Sequence, residues 1–195
     1  MTTTQMPDAE QVGTRAAQIL RAIQAHPAHE RLTSSSMKYS TCWSTFTGYP
    51  LISRWDLDRD AGPLLTEALR VLALKAAVFE LTNGDEQAAE LLVPAPVDEM
   101  VHAVLAQATV MTRLQLDLEV LFPHATELER FDYRRGCLTD TYYAAAGWGE
   151  QPLRYWLDAA EVERRLAILN AHYGRAGIGE SGRSHTFDFE LAATG

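Results

Sequence analysis

The chain is poor in the residues that mark small disulfide scaffolds, nucleic-acid binders and membrane spans. It has 2 cysteines in 195 residues, and Cys42 and Cys137 stand far apart without CxxC spacing, so neither a disulfide framework nor a thiol-rich zinc site is indicated. Only Lys38 and Lys75 are lysines, and 17 basic residues face 26 acidic ones for a net charge of −9. That balance repels phosphate backbones and anionic lipid unless a basic patch overrides it. The densest basic spots, Arg134–Arg135 and Arg164–Arg165, are flanked by Asp132, Glu161 and Glu163 and read as solvated faces, so no nucleic-acid partner is expected. No run approaches the roughly 20 apolar residues a membrane span needs, and the polar opening Met1–Thr4 lacks the basic and apolar blocks of a signal peptide. The expectation is a cytoplasmic protein with no membrane partner.

Glycine loops are present but wrongly placed. The stretch Gly174 to Gly182 lacks the preceding strand and following helix that shape phosphate-binding loops, which sets aside dinucleotide and P-loop readings. It reads as a flexible segment over 174–184. Ser35-Ser36-Met37-Lys38 meets the Ser-x-x-Lys pattern only through that pattern's looseness, and no Gly-x-Ser-x-Gly elbow accompanies it.

What is abundant is helical periodicity. The apolar fraction is 47% and the charged fraction 22%, ordinary values for one globular domain of this length. We read residues 1–195 as a single helical domain with a flexible leader at 1–8. Val12, Ala16, Ile19, Leu20 and Ile23 form a stripe over 11–25 that stops before His26–Pro27. A second helix begins near Asp60–Pro63, carries Leu65, Leu69, Leu72, Ala76 and Phe79, and ends at Asn83–Gly84. After Pro94-Ala95-Pro96 a long central helix is predicted from Val97 to Leu121 with Met100, Val104, Met111, Leu114 and Leu118 inward, about 37 Å at 1.5 Å per residue. Further helices are predicted over 130–146 and after Asp158, where Glu161 completes a capping-box-like start. The fold class is thus mainly α: a bundle of about five or six helices around a long central helix. The serine- and aromatic-rich segment 33–49 lacks helical period and is read as irregular or short-stranded, pairing in a small β-hairpin with a strand at 184–191.

The chemistry concentrates at Asp98 and His102. Four residues apart on a helix, they share a face, so an imidazole suited to proton transfer has a carboxylate to fix its tautomer. The competing account is an acidic first turn complementing the helix dipole. His124 is the third member of the best constellation, but a straight central helix would carry it some 33 Å away. A metal needs three or four converging ligands, so the expectation is no metal and no cofactor.

The order of motifs resembles the bacterial and plant glycine-rich-domain-containing-protein-like family. Trp55, a helix ending near Leu81, Pro94-x-x-Val97-Asp98-x-x-x-His102, Thr139-x-x-x-Tyr143 and Trp148–Gly149 carry that resemblance over roughly 55–149. Where the family has Trp-His-x-His, this chain has Val101-His102-Ala103-Val104, and of the family's later His-His pair only His124 remains. The resemblance implies an all-helical core with an uncharacterised pocket and no assigned reaction.

Two functions are weighed. The first is a small-molecule-processing enzyme of specialised-metabolism, non-redox type (cyclisation, isomerisation or elimination), with His102 and Asp98 catalytic. Tyr39, Trp43, Lys38, Tyr142 and Tyr143 would contact a small organic metabolite, and Lys38 could act as an acid or base where it is semi-buried. The second is a non-catalytic interaction or self-association module, a homodimer through exposed aromatics such as Trp148 and Trp156.

Overall fold

A computed structural model describes residues 5–42, 51–125, 132–179, 183 and 186–192, with the backbone alone at 40–42. The described residues are 65% helical, as the periodicity predicts. The helices are α1 (Ala9–Ala25), α2 (His29–Cys42), α3 (Leu57–Leu81), α4 (Glu86–Ala89), α5 (Ala95–Leu105), α6 (Ala108–Leu118), α7 (Leu138–Ala145), α8 (Ala159–Gly174) and α9 (Phe189–Ala192). Carboxylate caps start several of them. Asp8 accepts from the N–H groups of Glu10 and Gln11 at α1, Asp56 from Arg59 at α3, and Asp158 from Glu161 at α8.

The spine is α3, not the region after Pro96. From Leu64 to Val78 nearly every side chain of α3 is buried, the signature of a helix enclosed on all sides. Both α1 and α5 pack along it, α7 packs on α1, and α2 lies against α5. Gly13 lets α1 and α7 meet: a Cβ there would lie 2.4 Å from the Ala145 carbonyl carbon.

The single 97–121 helix is corrected to two. Gln107 leaves the helical region, with φ −80° and ψ 51°, and α6 runs back from Ala108. The sequence contains neither glycine nor proline at this break; the Gln107 side-chain amide donates to the Ala103 carbonyl at 3.1 Å, covering an end that a continuous helix would not expose. Val110, Met111 and Leu114 on α6 thereby rejoin the same core as Met100, Val101 and Val104 on α5.

The hairpin is also corrected. Residues 33–42 belong to α2, where the hydroxyls of Ser34 and Ser36 bond to the carbonyls of Glu30 and Leu32 one turn back, so the serine run is absorbed into a helix. Residues 189–192 form α9, and no strand occurs among the described residues. The helix expected over 130–146 is shorter, starting at Leu138.

A smaller core of Leu51, Leu157, Leu169, Tyr173 and Phe189 joins α8 and α9 to the segment before α3. Fully buried Asp60 anchors that junction, accepting from Arg154 Nε at 2.7 Å and from the Tyr155 hydroxyl at 2.9 Å. Burial alone would raise the Asp60 pKa, but the bonds from Arg154, Arg59, the Asp56 N–H and Tyr155 outweigh it and hold the carboxyl well below its usual range. Burial and the bond to Asp60 push the Tyr155 phenol up to about 12.

Candidate metal centre

The reversal between α5 and α6 determines the site. Asp98 lies in the first turn of α5, where the Pro94 carbonyl accepts its N–H at 3.1 Å, and His102 follows one turn later. The nearest Asp98 carboxylate oxygen is 3.7 Å from His102 Nδ1. Because α6 turns back, the chain after it returns to α5. Glu119 caps α6 in the left-handed region at φ +53°, and Gln115 then fixes the exit: its carbonyl accepts the Val120 N–H at 3.1 Å and its side-chain oxygen the Phe122 N–H at 3.0 Å.

That path delivers His124 onto His102. The two Nε2 atoms are 2.8 Å apart, and the rings meet edge to face at 68°. The 33 Å objection therefore falls with the straight helix that produced it. Asp98, His102 and His124 each offer a ligand atom, and the three atoms lie within 4.8 Å of one another. The Asp98 side chain is 9% exposed and that of His102 31%, so the trio has a buried floor and an open rim.

Two imidazole nitrogens and a carboxylate oxygen form a donor set for a divalent transition metal. Ligand nitrogens about 2.05 Å from a tetrahedral ion stand about 3.3 Å apart, so the rings need part by only about half an ångström. Without a cation, one proton shared between the facing nitrogens gives a hydrogen bond of ordinary length.

A second polar feature adjoins this site through Ala125. Lys75 of α3 is fully buried and bonded to Glu90, whose side chain is 6% exposed. The other Glu90 oxygen accepts the backbone N–H of Ala125, the residue after His124, at 3.5 Å. Sequence reasoning did not find Glu90 because an Ala-Ala-Glu-Leu-Leu stretch has no signal for burying its acid. A lone lysine inside the apolar stripe of α3 was the available clue.

Comparison with known proteins finds no family model, no curated protein and no solved structure that matches this chain. The resemblance over 55–149 is neither supported nor refuted by these comparisons.

The other residues singled out from sequence are placed as follows. Tyr142 and Tyr143 are core residues whose hydroxyls are engaged: Tyr142 donates to the Pro7 carbonyl at 3.0 Å and Tyr143 to Glu67 at 2.9 Å. Tyr39 is half-buried on α2, packed on the main core. Lys38 is exposed, so the burial that an acid–base role would need is not met. Trp43 lies outside the described residues. Trp156 is also corrected: it is buried, and its indole N–H donates to Glu67 at 2.9 Å. Trp148 is half-buried, edge-on to Tyr143. Three grooves on the surface, along α6, between α1, α2 and α3, and beside α7, are lined by other residues than the trio. Among the described residues no helix is long and apolar enough to cross a membrane.

Proposed function

We propose that the chain is a small-molecule-processing enzyme of non-redox type, whose acid–base chemistry is carried by a divalent, zinc-like cation held by Asp98, His102 and His124. The observation that supports this reading is the convergence of three ligand atoms within 4.8 Å from residues up to 26 positions apart. A helix-start carboxylate explains Asp98 alone and a solvated imidazole explains His102 alone. Neither explains a second imidazole returned over a broken helix to face the first. Three protein ligands leave at least one position for water or substrate, and a bound divalent cation polarises a carbonyl or lowers the pKa of a bound water. The partly exposed rim at His102 gives a small organic molecule its approach.

The test is direct metal binding by the full chain. Purified protein, stripped and reloaded with Zn2+ or Co2+, is to hold one equivalent by elemental mass spectrometry, with a Co2+ absorption spectrum typical of nitrogen and oxygen ligands. His102→Ala and His124→Ala are each to lose it while keeping the helical circular dichroism of the parent. A folded parent chain that takes up neither ion refutes the reading.

A further inference from the structure

A buried ion pair adjoins the site through Ala125. A lysine and a glutamate removed from water rarely stabilise a fold more than apolar residues of the same volume would, because the desolvation cost offsets their attraction. Lys75 and Glu90 nevertheless occupy the interior, at 0% and 6% side-chain exposure. Their geometry supplies a reason. One Glu90 oxygen takes the Lys75 ammonium, and the other is turned to the Ala125 N–H.

The residues around His124 have two tethers. On the α6 side, Gln115 accepts the N–H groups of Val120 and Phe122, and both of those side chains are buried. On the far side the tether is Glu90. Between Phe122 and Ala125 stand Pro123 and His124, half-buried, in a stretch without helical hydrogen bonds. Lys75 belongs to α3, the most deeply enclosed helix, so through Glu90 the position of His124 is referred to the rigid centre of the molecule.

We infer that Glu90, held by Lys75, is a positioning residue that keeps the His124 imidazole facing His102. This rests on the reading of Asp98, His102 and His124 as one site, and it assigns to the buried ion pair the outer-shell part that ligand-orienting carboxylates play in metal centres. Glu90 acts on the backbone beside the ligand and touches no reacting atom.

The test compares two double variants that both remove the buried charges and keep the volume, K75M/E90Q and K75M/E90L. Only the first retains an oxygen for the Ala125 N–H. In the full chain, K75M/E90Q is to bind Zn2+ within a few-fold of the parent, and K75M/E90L about 10–100-fold more weakly. In the metal-free proteins, the nuclear Overhauser contact between the His102 and His124 rings is to persist in the parent and in K75M/E90Q and to vanish in K75M/E90L. Equal affinity and equal ring contact in both variants overturn the inference. Should the parent bind no metal, the proposed function fails while the ring contact still decides this one. Should K75M/E90L not fold, amide exchange in the parent decides: a protected Ala125 N–H supports the tether, and exchange at the rate of an open loop overturns it.

Discussion

Replacing Gly13 by alanine tests the packing that sets α1 and α7 together. An added Cβ would stand 2.4 Å from the Ala145 carbonyl carbon and 2.6 Å from the Ala146 nitrogen, whereas ordinary contact begins at 3.4 Å. The obstacle is backbone, so no side chain can swing away, and the two helices must part by about 1 Å at the crossing. Val12, Ala16 and Tyr142 belong to the core that this crossing helps to enclose, and the Tyr142 hydroxyl also ties α7 to the Pro7 carbonyl just before the cap of α1. Overpacking of this kind costs roughly 2–4 kcal/mol, against about 1 kcal/mol regained from the better helix propensity of alanine. The net expectation is a loss of about 1–3 kcal/mol, a fall in melting temperature of roughly 3–10 °C for a chain of this size. Gly174→Ala is the matched control. It ends α8 with nothing within 4 Å of the added carbon, so it is to leave stability unchanged or raise it by up to about 1 kcal/mol. Calorimetric or circular-dichroism melting of the two variants beside the parent reads both. Shifts of the same sign and size would refute the reasoning, because propensity, and not the close approach, would then govern Gly13.

Two further substitutions test the buried carboxylates. Asp60→Asn is to cost about 1–3 kcal/mol at neutral pH, since the buried site loses the charge-assisted bonds from Arg154 and Arg59, whose guanidiniums are themselves partly exposed and keep contact with water. The Asp60 pKa is lower in the folded chain than in the unfolded one, so its contribution is complete above the ordinary carboxylate range near pH 4 and is lost as pH falls towards the folded value. Urea unfolding at pH 7 and pH 3 is therefore to show a smaller acid loss in Asp60→Asn than in the parent. Trp156→Phe removes the indole donor to Glu67 while Arg70 and Tyr143 remain bonded to that carboxylate; about 1–3 kcal/mol of stability is to go with it, and a loss below a few tenths in denaturant titration would show the bond to be dispensable.

The parts of this molecule legible in its sequence are those fixed locally. The stripe of α1, the Asp158 cap of α8 and the pairing of Asp98 with His102 follow from spacing, and all three stand in the structure. The break at Gln107 was not legible because no glycine or proline marks it. Val104, Val110 and Met111 keep helical register across it, and the turn is selected by how α6 repacks on the core. The helix α2 was missed for the converse reason: its serines and threonines favour turns in isolation, and burial of Leu32 and Ser36 overrides them. His124 joins the site only through that unmarked break, so the third ligand was visible as a residue and hidden as a neighbour.

The return of α6 also makes residues 103–123 a closed lobe whose neck is the contact between two imidazole rings. Val110, Met111, Leu114, Val120 and Phe122 of that lobe lie in the main core, so the entropy of closing a segment of about 20 residues is met on folding, before anything occupies the neck. The two rings are thereby brought together at no further cost in chain order, while Leu116 and Leu121 stand exposed on the outward face of the lobe.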